Sequence, residues 1–235
     1  MLAARGCGFA SVAVRRAPKT ERDTPTTETA LANALAGKEA VALLDINDPD
    51  MLSDTLFGAE PMPVTGTPNL PIGTRRQVAR VAAKALNADT DILSLPENAP
   101  YGAVLVNKDS CTLCLSCVSL CPSGALGDNP DLPQLMFPED ACLQCGLCAT
   151  ICPEDAITLE PRLDLTEAAL TQQVLNEEEP FACVECGVLF GSKSTVERIT
   201  AKLTGHSMFA DPAKLRMIQM CDNCRVTTQV HSADS

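Results

Sequence analysis

Two stretches of the chain carry cysteines at the same spacing, and their thiolates could bind metal. The first run has the spacing C-x2-C-x2-C-x3-C-P and consists of Cys111, Cys114, Cys117, Cys121 and Pro122. The second run repeats that spacing with Cys142, Cys145, Cys148, Cys152 and Pro153. Three thiolates separated by two residues each can surround one cuboidal cluster, because a tight loop brings successive sulfurs to adjacent iron corners. The two runs therefore predict two [4Fe-4S] clusters.

The last cysteine of each run is separated from the other three and is followed by proline. Proline fixes φ and lacks an N–H, so it turns the chain away from the cluster just bound. We therefore expect Cys121 and Cys152 each to reach the cluster of the other run. This crossing would tie the two halves of the domain together.

Other uses of eight cysteines fit the pattern less well. A disulfide framework suits short secreted chains, and this sequence of 235 residues shows no secretory signal peptide. Structural zinc sites use pairs of C-x2-4-C, not a triple followed by Cys-Pro. Iron–sulfur ligation implies a reducing compartment, so we expect a cytoplasmic protein.

The spacing of both runs resembles that of bacterial two-cluster ferredoxins, over residues 102–161. The resemblance implies a ferredoxin-like α+β domain built from two units related by a pseudo-two-fold axis, each with a strand, a cluster loop, a short helix and a strand. It also implies the ligands of the first cluster, Cys111, Cys114, Cys117 and Cys152. The ligands that it implies for the second cluster are Cys142, Cys145, Cys148 and Cys121.

Composition and charge limit the classes of partner. The formal net charge is −12, which disfavours nucleic acid and favours a basic protein surface, unless the acidity serves only solubility. No apolar stretch is long enough to span a bilayer. There is no Ser/His/Asp set, dinucleotide fingerprint or phosphate loop, and two histidines provide little acid–base capacity. We predict an electron-transfer protein, not an enzyme.

Residues 1–95 predict a mostly helical N-terminal extension with a proline-rich linker. Residues 1–20 are basic and suggest a flexible arm or a frayed first element. Short helices are predicted from Thr27 to Ala36 and from Asp48-Pro49 to Leu56, and an extended linker from 61 to 73. A further helix from Thr74 to Leu86 carries a basic stripe of Arg76, Arg80 and Lys84, which is either a docking face or an ordinary solvated face.

The C-terminal part contains a second candidate metal site. Cys183 and Cys186 form one C-x2-C pair, and Cys221 and Cys224 form another, with residues 187–220 between them. Such pairs form the knuckles of zinc-ribbon-like sites. We favour a structural zinc, with a single iron, a third cluster or a redox dithiol as alternatives.

Helices are predicted around these cysteines. A capping box at Asp164 would open a helix to Asn176, and one at Ser194 would open a helix to Leu203. Asp211-Pro212 would start another helix, through Met220. We expect His206 to be a surface residue and not a ligand. The sequence thus divides into the extension (1–95), the cluster domain (96–163), and a helical linker with the four-cysteine metal-binding module (164–235).

Nearly the whole chain resembles a proteobacterial ferredoxin-type family with similar C-terminal segments. These segments are Phe181-Ala182-Cys183-Val184-Glu185-Cys186-Gly187 and Met220-Cys221-Asp222-Asn223-Cys224-Arg225-Val226. The resemblance implies an association with molybdenum- or tungsten-dependent formate dehydrogenase, to or from which the protein would carry single electrons. The alternative is an assembly or maturation factor that docks to a metalloenzyme. A subunit permanently bound in a larger complex would differ from a carrier only in residence time.

Overall fold

The computed structural model describes residues 1–16, 23–58 and 67–233, and these form a mixture of helices and short strands. In chain order the first half contains α1 (Leu2–Gly6), β1 (Ala13–Arg15), α2 (Asp23–Ala36), β2 (Ala42–Leu44), α3 (Pro49–Gly58), α4 (Arg75–Leu86), β3 (Ile92–Ser94) and β4 (Gly102–Val106). The cluster region continues with α5 (Ser116–Ser119), β5 (Gly127–Asp128), β6 (Gln134–Phe137), α6 (Leu147–Ile151) and β7 (Ile157–Asp164). The remainder contains β8 (Gln173–Glu177), β9 (Pro180–Ala182), β10 (Leu189–Ser192), α7 (Lys193–Leu203), α8 (Pro212–Ile218) and α9 (Asp222–Ala233). Short 3-10 turns occur at Glu139–Ala141, Glu167–Leu170 and Ser207–Phe209.

The chain forms two compact units, whose bounds interleave. The first comprises Met1–Ala103, Cys142–Gln144 and Glu160–Leu170, and the second comprises Val104–Ala141, Cys145–Leu159 and Thr171–Ser235. The division predicted at 95/96 and 163/164 follows motifs and not contacts, and it stays a prediction.

The core of the first unit is built from small and aliphatic side chains. Its buried members are Leu2, Leu35, Ala36, Ala40, Ala82, Ala83, Leu93, Tyr101, Leu163 and Leu165. Helix α1 approaches α4 so closely that a Cβ on Gly6 would lie 2.7 Å from the Cβ of Ala82. Strand β1 pairs in parallel with β2. The expectation of a flexible arm is therefore wrong for residues 1–16, because apolar burial and strand pairing fix them.

Helix α4 begins as predicted, and its basic residues make different contacts within the same unit. Thr74 and Gln77 form a capping box at its start. Arg80 is buried and donates to the carbonyl oxygens of Asp164 and Thr166, both at 2.6 Å. Lys84 is 56% exposed and lies 2.9 Å from the Glu167 carboxylate. The stripe is therefore not a uniform face: Arg80 holds the end of β7 and the chain after it against α4, while Lys84 stays at the surface.

Strands predicted in the cluster region are present in the predicted order. β4, α5 and β5 are followed by β6, α6 and β7, so strand, cysteine loop, helix and strand occur twice. The strands join two three-stranded sheets, with orders β3-β7-β4 and β5-β6-β8. In the first unit β3 runs antiparallel to β7, with Leu93 opposite Leu163.

One predicted helix is wrong, because residues 173–177 form a strand. After a 3-10 turn at Glu167–Leu170, β8 pairs antiparallel with β6, and Leu135 lies opposite Asn176. The Asp164 carboxylate accepts a hydrogen bond from Thr166 N and does not cap a long helix. The edge of β6 offers the backbone hydrogen bonds that a short isolated helix would have to form alone, and such helices are marginal.

Helices of the C-terminal part are found near their predicted positions, with differences at their starts. Asp211 caps α8, which ends at Ile218, before the predicted Met220. α7 begins at Lys193 after Ser192, and the Ser194 hydroxyl does not form the predicted capping box. α9 was not predicted. Within the described ranges, no helix is long and apolar enough to cross a bilayer. Part of the predicted linker, residues 61–66, lies outside the described residues.

Candidate iron–sulfur and metal sites

The cysteine loops share a backbone pattern that sequence spacing alone does not specify. Leu113 in the first loop has φ 51° and Gln144 at the matching place in the second has φ 53°. Two residues later, Leu115 has φ 57° and Gly146 has φ 80°. Left-handed residues are uncommon outside glycine, so their recurrence at matched positions shows that both loops curl in the same way. Such a curl turns successive cysteine side chains toward one centre.

A small cavity brings together cysteines from both runs. Its walls include Cys111, Cys114 and Cys117 from the first run and Cys152 from the second, closed by Leu135 and Ile157. Burial raises the pKa of the Cys117 thiol to about 12, and the neighbouring sulfurs of Cys111, Cys114 and Cys148 add to the effect. Bound iron would supply the positive charge that lets such crowded sulfurs ionise. The donor set and the enclosed position fit one iron–sulfur cluster.

The second run places its first cysteine in a polar setting. Cys142 is buried, and its Sγ lies 3.4 Å from the backbone N and 3.5 Å from the side-chain Nε2 of Gln144. Cys121 Sγ accepts from Leu126 N at 3.5 Å. Burial opposes ionisation of Cys121, but N–H and hydroxyl donors led by Leu126 outweigh it and lower its pKa. Cys145 is exposed and Cys148 is half-buried.

The end of β10 and the start of α7 hold the first cysteine loop through three hydroxyls. Ser192 Oγ lies 3.1 Å and Ser194 Oγ lies 2.9 Å from the carbonyl oxygen of Thr112, and Thr195 Oγ1 bonds to the same oxygen. Ser194 Oγ also lies 2.8 Å from the Glu178 carboxylate. Because Thr112 follows Cys111 directly, these contacts fix the loop from outside. Sequence reasoning assigned Ser194 to a helix cap and missed this role.

A second set of α7 contacts reaches the segment after Cys152-Pro153. Arg198 forms an ion pair with Glu154, and Lys202 lies 3.8 Å from the same carboxylate. The Glu154 side chain is only 8% exposed, so its charge needs this compensation. Helix α7 therefore contacts residues that lie next to both cysteine runs.

The four C-terminal cysteines form a close group of sulfurs. The ligand atoms of Cys183, Cys186, Cys221 and Cys224 all lie within 4.8 Å of one another, and Cys186 Sγ and Cys221 Sγ are 3.7 Å apart. A tetrahedral zinc with Zn–S bonds of about 2.3 Å places its sulfurs about 3.8 Å apart. No such close group is found among the eight cysteines of the two runs, all of which the structure describes.

Two different elements supply these four sulfurs. The first pair lies in the turn of the β9–β10 hairpin, where Cys183 N donates to Val188 O at 2.8 Å and Gly187 adopts φ 76°. The second pair lies at the start of α9, with Cys221 just before the helix. Cys221 N donates to Cys183 Sγ at 3.3 Å and so joins the two elements.

The ionisation of the group is divided unequally between its members. Burial opposes the Cys183 thiolate, but the backbone N–H groups of Cys186, Cys221 and Glu185 outweigh it and lower its pKa to about 6. Hydrogen bonds to the Cys186 and Cys221 side chains raise the pKa of Cys224 to about 12. A bound divalent cation would displace the remaining protons. These four residues therefore fit a single metal ion, and the sulfurs lie too close together for a cuboidal cluster. His206, as expected, is not in the group and accepts from Met208 N.

Comparison with known proteins identifies the cysteine-run region. Residues 110–157 match the family model of the 4Fe-4S dicluster domain. No curated protein matches the chain. The match covers both cysteine loops, the helices α5 and α6, and the cavity that Cys152 shares with the first run. Residues 110–157 therefore form a ferredoxin-type 4Fe-4S domain.

Proposed function

We propose that this protein is an electron carrier that passes single electrons through two [4Fe-4S] clusters to or from a partner oxidoreductase. The observation that carries the proposal is the cavity lined by Cys111, Cys114, Cys117 and Cys152. It supports a crossed ligand set in which the second cluster takes Cys142, Cys145, Cys148 and Cys121. When bound, each cluster accepts or donates one electron. The surrounding chain supplies burial, N–H donors and a fixed loop.

The repeated loops support a ferredoxin-like architecture for this domain. Strand, loop, helix and strand recur with left-handed residues at matched positions. We infer a pseudo-two-fold relation between the halves of bacterial ferredoxin type. An acidic carrier with thiolate-bound iron suits a reducing compartment, so we place the protein in the cytoplasm and expect a basic partner surface, not nucleic acid.

The C-terminal site is proposed to hold a structural zinc. The closeness of the sulfurs supports one tetrahedral ion, and zinc carries no electron. A single iron satisfies the same geometry. Metal analysis distinguishes this alternative from zinc. The zinc-ribbon-like description applies to the knuckle in the β9–β10 hairpin, since the other pair starts a helix.

The proposed partner is a formate dehydrogenase. Its support is the resemblance carried by residues 181–187 and 220–226, which surround the C-terminal metal site. Rapid reduction of the clusters by formate in the presence of a molybdenum- or tungsten-dependent formate dehydrogenase is the expected result. If the clusters exchange no electrons with that enzyme but are reduced reversibly by dithionite, the electron-carrier function stands and formate dehydrogenase is excluded as the partner.

An assembly factor is the second candidate, and one feature favours it. An open cleft of about 820 Å³ lies between β10 and the C-terminal helices, and its lining combines apolar residues such as Phe190, Ile199 and Met217 with the charged Asp211, Lys214 and Arg225. A carrier does not need such a cleft, whereas a factor that docks to an enzyme could use it. A deletion strain whose dehydrogenase is intact but lacks its cofactor would favour this function.

Metal and sulfide analysis tests the proposal. On anaerobically purified protein we expect about eight irons, eight sulfides and one zinc per chain. Low-temperature EPR of the reduced protein should show two cluster signals. About nine irons and no zinc per chain would show that the C-terminal site holds iron. Protein that contains no sulfide would refute the electron-carrier function.

A further inference from the structure

The two cluster loops differ at two matched positions, although their backbones agree. Cys111 and Cys142 open the two runs, and two residues further on the first loop has Leu113 where the second has Gln144. Both of these residues adopt the left-handed conformation, with φ 51° and 53°. In each loop, the surrounding chain can therefore act on the first ligand at two matched positions. These are the carbonyl oxygen of that cysteine and the residue two positions after it.

At the first place, the ligand's carbonyl oxygen, the partners differ in charge. The Arg76 guanidinium donates to Cys142 O at 2.6 Å and to Pro100 O at 2.7 Å, and lies 4.3 Å from the centroid of the Tyr101 ring. The equivalent oxygen of Cys111 faces the neutral Asn176 amide at 3.5 Å. A fixed positive charge thus lies beside Cys142, whereas the side chain that faces the Cys111 carbonyl oxygen is neutral.

At the second place, the residue two positions after the ligand, the partners differ in hydrogen bonding. The Gln144 side-chain amide lies 3.5 Å from Cys142 Sγ, and a 3.0 Å hydrogen bond to Ala103 O holds it in place. A Cβ on Gly102 would collide with the backbone oxygen of Glu160 and come within 2.6 Å of the Gln144 Cδ, so glycine makes room for both. Leu113 has no side-chain donor.

Other sulfur contacts are similar in the two halves. Ala156 N lies 3.3 Å from Cys152 Sγ, and Leu126 N lies 3.5 Å from Cys121 Sγ. One serine hydroxyl also accompanies a ligand of each set, Ser116 at Cys114 and Ser123 at Cys121. Among the contacts to ligand sulfurs and to the carbonyl oxygens of Cys111 and Cys142 described above, the asymmetry lies at Arg76 and Gln144.

Both contacts favour the reduced form of the cluster that they adjoin. Reduction adds one electron, so the negative charge on the cluster and its sulfurs increases. A nearby cation and an N–H donor to sulfur stabilise that added charge, and hydrogen bonds to the sulfurs are known determinants of cluster potential. The effect of Arg76 is strengthened by its partial burial, because solvent screens it less.

We propose that Arg76 and Gln144 raise the reduction potential of the cluster that Cys142 ligates above that of the other cluster. The inference rests on the proposed function. When the chain holds one electron, that electron resides on the cluster of the second run. Transfer within the chain therefore runs toward that cluster: the cluster of the first run loses one electron and the other gains it. Arg76 and Gln144 act as positioning residues, through the ligand Cys142.

The test is an anaerobic redox titration of the full chain, poised with dithionite and followed by EPR. Gln144→Leu gives the second loop the side chain of the first, and Arg76→Met removes the cation. Arg80→Met is the matched control, because Arg80 also donates from α4 to two backbone carbonyls, but these belong to Asp164 and Thr166, which are not cluster ligands. Arg76→Lys restores the charge without the planar fork.

For Gln144→Leu and Arg76→Met, we expect the reduced-to-oxidised ratio of the higher-potential cluster to fall about tenfold at a fixed potential, which is about 59 mV for a one-electron couple. The reduction potential of the other cluster should shift much less in these two variants. Both potentials should also shift much less in Arg80→Met and Arg76→Lys. Unchanged potentials in both Gln144→Leu and Arg76→Met, or an equal shift in Arg80→Met, would overturn the inference. Wild-type protein without clusters would instead refute the proposed function.

Discussion

The hydroxyl contacts between α7 and the first cysteine loop lead to a prediction about cluster stability. The Thr112 carbonyl has two lone pairs, while Ser192, Ser194 and Thr195 all lie within bonding distance of it. The Ser194 hydroxyl has a single proton, which serves either Thr112 O or Glu178, so removal of the Thr195 hydroxyl costs at most one neutral hydrogen bond. Thr195→Val should therefore cost no more than about 1 kcal/mol.

Removing all three hydroxyls should have a much larger effect. The variant Ser192→Ala, Ser194→Ala, Thr195→Val loses two neutral hydrogen bonds of about 1 kcal/mol each and the charge-assisted bond of Ser194 to Glu178, about 2 kcal/mol. Partial exposure reduces the sum of about 4 kcal/mol, so we expect about 2–4 kcal/mol. At 1.4 kcal/mol per tenfold, the detached state of the loop becomes about 30 to 700 times more populated.

The assay is the rate at which the first cluster is lost to an iron chelator, followed by EPR of samples reduced at intervals. The triple variant should lose the first cluster faster in proportion to the detached population, while the second cluster decays as in wild type. Thr204→Val is the control, because its hydroxyl bonds only within α7, to Thr200 O. Equal decay of the first cluster in the triple variant and in wild type, or a large effect of Thr195→Val alone, would refute this reasoning.

Three further predictions concern the two helical anchors and the C-terminal metal. Arg80→Met should lower the free energy of unfolding by about 3 kcal/mol, whereas Lys84→Met, which breaks an exposed pair, should cost less than about 1 kcal/mol; equal losses of melting temperature would contradict the difference. Cys183→Ser should reduce zinc content and melting temperature but leave both cluster signals; loss of a redox signal would place iron at that site. Zinc affinity should fall as the pH is lowered, because protons compete for the Cys224 thiolate well above pH 6 and also for the Cys183 thiolate below about 6; a pH-independent affinity would contradict the four-thiolate site.

Local signals predicted much of the fold. Asp48 and Thr74 were recognised as helix starts, and the structure places α3 and α4 directly after them. The strands β4, β6 and β7 were predicted beside the cysteine runs. These features depend on residues close in sequence, which is why composition and spacing were sufficient.

The errors occur where distant parts of the chain decide the structure. Residues 173–177 have a helical pattern of apolar residues, but pairing with β6 makes them a strand. On a helical wheel, Arg76 and Arg80 form part of a stripe that looks exposed. In the structure, Arg76 donates a hydrogen bond to Cys142 O, and Arg80 donates one to Asp164 O at the end of β7. A sequence cannot show which carbonyls lie opposite a given guanidinium.

In the candidate sites, too, residues close in sequence were predicted correctly and contacts between distant parts of the chain were missed. Spacing indicated all twelve metal-binding candidates, and the sulfurs of the C-terminal four are indeed close together. The hydroxyls that hold Thr112, and the difference between Leu113 and Gln144, emerge only when the surrounding chain is in place. Sequence spacing favoured a structural zinc at the C-terminal site but left a single iron, a third cluster and a redox dithiol open, and the sulfur separation is what favours a single ion.

The crossed arrangement of two clusters is the central claim, and EPR of three reduced serine variants tests it most directly. Cys111→Ser and Cys152→Ser should lose the same cluster signal, although these cysteines belong to different runs, because both line one cavity. Cys142→Ser should lose the other signal. If Cys152→Ser instead matches Cys142→Ser and keeps the signal that Cys111→Ser loses, each run binds its own cluster and the account is contradicted.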